Sequence, residues 1–196
     1  MNKYACSHPF VKRRLEGFFQ ILGTLMSELQ SKNALSLGCG EGFDLKGICD
    51  VAPHRIERLW GLDVNPDALR VSLNILSDRP YRAICGDLTN LPVKLQKFDL
   101  LLCLEVLEHL PKPVKILEQI SQEYVGHCIF SVPNEPVYRL TRMILFRQDV
   151  RRFGNHPDHV NHWSSGSFQR LAAKYFRVER VVRPYPWTVV LCRAGT

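Results

Sequence analysis

The chain has no apolar run long enough to cross a bilayer, and no basic-then-apolar leader ending in a small-residue cleavage site. These absences argue against a helical membrane span and against export. C-x-x-C pairs are also missing, although cysteine is not: Cys6, Cys39, Cys49, Cys85, Cys103, Cys128 and Cys192 are scattered along the sequence. An odd, dispersed set, several within apolar strand-like runs, reads as buried reduced thiols and not as disulfides or zinc ligands. The expected location is the cytoplasm. No internal repeat or low-complexity tract occurs.

What is present suits one globular domain. The 196 residues are 45% hydrophobic, enough to bury a sizeable core. A formal net charge of +7 favours acidic partners, whether nucleic acid, anionic lipid or a small molecule bearing phosphate or carboxylate.

From Asn33 onward, short apolar runs alternate with helical patterns. The runs are Ala34–Leu37, Arg58–Asp63, Tyr81–Cys85, Phe98–Leu104, Cys128–Val132, Phe176–Val182 and Trp187–Cys192. Such alternation predicts an α/β fold: a single Rossmann-like, three-layer αβα domain over 33–196 with a seven-stranded, mostly parallel sheet. Arg183-Pro184-Tyr185-Pro186 is too short for a crossover helix, so the last two runs are expected to pair as an antiparallel hairpin. Within residues 1–32, Phe18, Phe19, Ile21, Leu22, Leu25 and Met26 form a stripe at helical spacing. That stripe predicts a helix over Phe10–Gln30 packed on the domain, with a lid over a ligand as the alternative. Residues 134–164 break the alternation with a helix near Pro136–Phe146 and then a polar stretch. An insertion there, on the carboxyl edge of the sheet, is where substrate contacts are expected.

The strongest local signal is Ser36-Leu37-Gly38-Cys39-Gly40-Glu41-Gly42, directly after a strand and opening a helix. Glycines at these positions let the backbone turn tightly and approach a ligand. The spacing is G-x-G-x-G; a dinucleotide fingerprint needs glycine at Phe43, which disfavours a nicotinamide oxidoreductase. Asp63 ends the second strand, where a carboxylate can accept both hydroxyls of a ribose. Asp87 follows the third strand, where it can accept a hydrogen bond from an adenine amine. Singly, Asp63, Asp67 and Asp87 could be helix caps or turn formers. Their ordered recurrence on one edge of successive strands is harder to explain that way.

The segments LSLGCGEG, GLDVNPDAL, GDLTNLP, FDLLLCLEVLEHL and FSVPN resemble the successive motifs of class I S-adenosylmethionine (SAM)-dependent methyltransferases, particularly the type-11 group. The resemblance implies SAM as cofactor, contacted by Gly38, Cys39, Gly40, Gly42 and Glu105, with Asp63 and Val64 at the ribose and Asp87 and Leu88 at the adenine. The family carries an acid where this chain has Ser36.

Two segments hold candidates for proton transfer. In Glu105-Val106-Leu107-Glu108-His109, a helical turn would set Glu105, Glu108 and His109 on one face. Asn155–Trp163 holds three histidines, which can act as bases near neutral pH, or forms a polar loop anchored by Trp163. Arg139, Arg142, Arg147, Arg151 and Arg152 add charge nearby, as an anion site or a solvated face. His109, Glu105 and His159 are the expected catalytic groups. Together the segments are similar to the small-RNA 3′-terminal 2′-O-methyltransferases, which implies an alternative divalent-metal site at Glu105, Glu108, His109 and His159. Type-11 enzymes acting on lipids, quinones or sugars share the same run, and an ordinary transfer site without metal is the preferred reading. The expected activity is methyl transfer from SAM to an oxygen, less readily a nitrogen or carbon, of a small-molecule, sugar or lipid-linked acceptor. The alternatives are metal-dependent methylation of RNA and a catalytically silent SAM-binding protein.

Overall fold

The computed structural model describes residues 9–52, 56–135 and 159–195. Its helices and strands run α1 (Pro9–Leu29), β1 (Asn33–Leu37), α2 (Phe43–Val51), β2 (Arg58–Asp63), α3 (Pro66–Ile75), β3 (Tyr81–Cys85), β4 (Leu100–Leu104), α4 (Pro113–Glu123), β5 (Gly126–Pro133), α5 (Ser165–Ala172), β6 (Arg177–Val182) and β7 (Trp187–Ala194). The strands form one seven-stranded sheet in the order β3-β2-β1-β4-β5-β7-β6. Strands β1 to β5 are parallel, while β7 is antiparallel to both β5 and β6. This is the expected Rossmann-like layering with a reversed hairpin at one edge.

Local chemistry explains the element ends. Asn65 caps α3 by accepting from the Asp67 and Ala68 amides, with Pro66 pre-set in the first turn. Ser164 caps α5 through the Ser167 amide. Asp99 was expected inside the fourth strand but precedes it. Its carboxylate accepts from the Lys32 and Asn33 amides, 3.0 Å each, tying the start of β1 to β4. β4 is buried throughout, as a central strand covered on both faces must be.

Two apolar clusters line the two sheet faces. α1 contributes Leu15, Phe18, Leu22, Leu25 and Met26 to one of them, beside Leu45, Ile48 and Trp187. The Phe18 and Trp187 rings are 4.7 Å apart. α1 thus packs on the domain through this face. The expectation that the cysteines are buried needs correction at two positions. Cys49, Cys103, Cys128 and Cys192 are buried, but Cys39 is half-buried and Cys85, at the tip of edge strand β3, is exposed. None of these six is in a disulfide. Cys6, the helix expected near Pro136–Phe146, the five arginines from Arg139 to Arg152, and His156 lie outside the described residues.

Candidate functional site

The turn after β1 is left-handed at three glycines, Gly38 (φ 73°), Gly40 (φ 52°) and Gly42 (φ 78°), and α2 begins at once. The Gly38 and Cys39 amides donate to the Leu62 carbonyl at 2.7 and 3.0 Å, docking the turn on β2. A Cβ placed on Gly40 would meet no atom within 4 Å, so its bare Cα borders open space. Asp63 grips the same turn, its Oδ2 accepting from the Gly40 amide at 2.7 Å and its Oδ1 from the Asn65 amide at 2.9 Å. Next to it Val64 is 68% exposed. One strand over, Asp87 Oδ1 accepts from the Thr89 amide at 2.7 Å. That bond holds its carboxyl below the usual carboxylate range. Cys39 sits beneath the turn, 3.5 Å from the Tyr81 hydroxyl. Burial pushes its thiol up to about 11.

At the exit of β4 the expected helical turn does not form. Glu105 takes a left-handed conformation (φ 57°), and only Leu107–His109 coils, as a 3₁₀ turn. The reversal sends Glu105 away from its two expected companions. Its Oε2 accepts from the Trp187 indole N–H at 2.6 Å and its Oε1 from the Ser131 hydroxyl at 3.0 Å.

Glu108 and His109 do meet His159. Ligand atoms of these three residues all lie within 4.8 Å of one another, Glu105 not being part of the group. The His109 and His159 rings pack edge to face, centroids 4.9 Å apart. Asn161 staples the two segments together: its amide and that of Val160 donate to the Glu108 carbonyl at 3.0 and 2.9 Å. Its side-chain amide donates to the Leu110 carbonyl at 2.6 Å and the Leu107 carbonyl at 3.2 Å.

Sequence reasoning missed the acid that orients this group. Glu135, just past β5 and 3% exposed, has Oε1 2.8 Å from His159 Nδ1 and 3.4 Å from His162 Nδ1. Burial alone would raise the Glu135 carboxyl, but the hydrogen bonds and charges of His159 and His162 outweigh it and leave it below its ordinary value. Trp187 and Ser131 were likewise missed as partners of Glu105, since no local pattern announces contacts across 82 and 26 positions.

Comparison with known proteins follows this geometry. Residues 35–123 match the model of a methyltransferase domain family, Methyltransf_11. The ubiquinone biosynthesis O-methyltransferase of Alkalilimnicola ehrlichii is 30% identical over 134 residues, covering 65% of this chain and 50% of that one. The protein of the same name from Coxiella burnetii is 26% identical over 160 residues, covering 73% of this chain and 65% of that one. The chain thus spans between half and two thirds of the length of these curated relatives.

These likenesses support a class I SAM-dependent methyltransferase.

Solved structures agree on the fold. The methyltransferase domain of bacterial CtHen1 superposes with a TM-score of 0.71 at 19% identity, covering 91% of this chain and 98% of that one. N-methyltransferase NodS from Bradyrhizobium japonicum, in complex with S-adenosyl-L-homocysteine (SAH), gives 0.65 at 17% identity, covering 97% and 90%. SAM is the cofactor of this methyltransferase family, and the residues present fit it. The open space at Gly40 adjoins the Asp63 carboxylate, which accepts from the Gly40 amide, giving room and an acceptor of the kind a nucleoside thioether needs. Among the described residues, no helix is long and apolar enough to cross a membrane.

Proposed function

We propose that this methyltransferase transfers the methyl group of SAM to an oxygen, less readily a nitrogen or carbon, of a small-molecule, sugar or lipid-linked acceptor in the cytoplasm. The observation that carries this reading is His159, seated against the buried Glu135 carboxylate and packed edge to face with His109 at the exit of β4. SAM, when bound, supplies a methyl activated by a positively charged sulfur. The chain's own task is then to align an acceptor oxygen with that methyl, exclude water and take up the hydroxyl proton. In this reading Gly38, Cys39, Gly40 and Gly42 receive the cofactor. Asp63 and Val64 take the ribose, Asp87 and Leu88 the adenine, and Glu105 the remaining part. With Nδ1 donating to Glu135, His159 keeps Nε2 as its accepting nitrogen. His109 borders the same space and is 40% exposed, able to meet an acceptor. The names of the two O-methyltransferase relatives support oxygen as the target. Entry of the acceptor between α1 and segment 134–164 belongs to the same proposal.

The test uses SAM carrying a labelled methyl, incubated with a small-molecule and lipid extract. The expected product is a labelled methyl ether, formed at a rate that His159→Ala lowers about 10²- to 10⁴-fold. Unchanged turnover in that variant would remove His159 as the base. Tight SAH binding with no labelled product from any extract would favour a catalytically silent protein.

A second reading, divalent-metal-dependent methylation of RNA, is supported by the convergence of Glu108, His109 and His159. One carboxylate and two imidazoles form a donor set that suits manganese, iron or zinc. A metal held there would lower the pKa of a sugar hydroxyl. Titration with manganese separates the readings. Under the first, a chelator leaves turnover intact; under the second, it abolishes turnover, and RNA oligonucleotides become substrates.

A further inference from the structure

Between Gly38 and Gly40, Cys39 carries the only side chain by which the glycine turn can be held from beneath. Its thiol has the Tyr81 hydroxyl oxygen at 3.5 Å and the Gly40 carbonyl at 3.7 Å. Tyr81 starts β3, but its side chain runs forward along the sheet. Gly61, level with Ala83, lacks the Cβ that would collide with the Tyr81 hydroxyl. The same atom would lie 2.6 Å from Cys39 Sγ, so one glycine clears the space in which the two groups meet. Beyond them stands α3. Its Ser72 is wholly buried, with Oγ 2.9 Å from the Tyr81 hydroxyl. A Cβ on Gly42 would lie 2.9 Å from Ser72 Cβ, so α3 also abuts the turn directly.

The protons run in one direction along this chain. Ser72 has a single hydroxyl proton and donates it to the Leu69 carbonyl at 2.8 Å. Toward Tyr81 it can only accept, so the Tyr81 O–H donates to Ser72. The phenolic oxygen is then left to accept from the Cys39 S–H, a weak donor. Burial pushes both the thiol and the phenol above their ordinary values, so both keep their protons at neutral pH. A phenylalanine would fill the same lane; the hydroxyl adds direction, and linked hydrogen bonds reinforce one another. The backbone above this chain borders the open space at Gly40, whose amide lies on Asp63. A ligand site held less firmly from behind loses affinity even when no contacting group is altered. We propose that Tyr81 and Ser72 are positioning residues for the cofactor, holding Cys39 and through it the Gly38–Gly40 backbone against the nucleoside thioether. This rests on the SAM reading above.

The test is a double-mutant cycle on SAH affinity, measured by calorimetry. Tyr81→Phe, which keeps the ring and loses the hydroxyl, is expected to weaken SAH about three- to tenfold. In a Cys39→Ala background the same change should cost less than about twofold, because the thiol it acts through is gone. Ser72→Ala is expected to weaken SAH by a smaller factor and to show the same dependence on Cys39. Tyr124→Phe is the control. It removes another buried tyrosine's hydroxyl, which donates to the His127 carbonyl at 3.3 Å at the amino end of β5. Its SAH affinity should stay within about twofold of wild type. Unchanged affinity in Tyr81→Phe, an equal loss in both backgrounds, or an equal loss in Tyr124→Phe would overturn the proposal while leaving the SAM reading intact. Failure of the wild-type protein to bind SAH would overturn both. Should Tyr81→Phe not fold, the cycle of Ser72→Ala with Cys39→Ala decides by the same criteria.

Discussion

His159 Nδ1 lies 2.8 Å from Glu135 Oε1, and the two side chains are almost wholly buried. The other Glu135 oxygen, Oε2, is buried and has no hydrogen-bond partner among the described residues. An anion in such a place is tolerated because two histidine rings compensate part of its desolvation. Removing its charge should therefore act on stability and on chemistry together. Glu135→Gln is expected to lower stability at neutral pH by about 1–3 kcal/mol, read from urea unfolding. The native carboxyl lies below its ordinary value of 4.5, so its stabilisation is complete above that value. It fades as the pH falls through the lower native value. The wild-type and Glu135→Gln midpoints should accordingly converge in acid and separate again above pH 4.5. A constant gap at every pH would mean that the charge is not what Glu135 contributes.

Thiol reactivity should separate the described cysteines. Cys39 is half-buried with its thiol pushed up to about 11, so at pH 8 only about one molecule in 10³ is thiolate. Cys85 is exposed at the tip of β3. Peptide mass spectrometry after brief iodoacetamide treatment should find Cys85 alkylated well before Cys39. Prior labelling of Cys39 would mean that the glycine turn opens far more often than its hydrogen bonds imply.

Two glycines should respond differently to an added methyl group. At Gly61 a Cβ would collide with the Tyr81 hydroxyl and would lie 2.6 Å from Cys39 Sγ. Gly61→Ala should cost about 1–3 kcal/mol of stability by overpacking under the turn. At Gly40 the Cβ meets open space, so only the positive φ opposes it, about 1–2 kcal/mol. Gly40→Ala should nonetheless abolish SAH binding, because that open space is where the ligand comes closest. Thermal unfolding with and without SAH reads both effects.

Strands were legible because continuous apolar runs such as Leu100–Leu104 have no other stable place than a doubly covered sheet. The glycine turn was legible because three left-handed positions demand glycine. The turn at Glu105 was not, since a strained non-glycine residue leaves no mark in the sequence; the i, i+3, i+4 spacing suggested a helix that the backbone reversal prevents. Glu135 fell in the 134–164 insertion with no pattern to mark it, and its partner lies 24 positions away. Cys85 looked buried because its run is apolar, yet β3 is an edge strand and its last residue faces solvent. Sequence pattern reported the elements; long-range pairing made the site.

The most direct test is a crystal structure of the protein with SAH at saturating concentration. The ribose diol should lie on the Asp63 carboxylate with the thioether over Gly40. An empty cleft beside Gly40 and Asp63 under those conditions, or the nucleoside bound elsewhere on the molecule, would contradict the account.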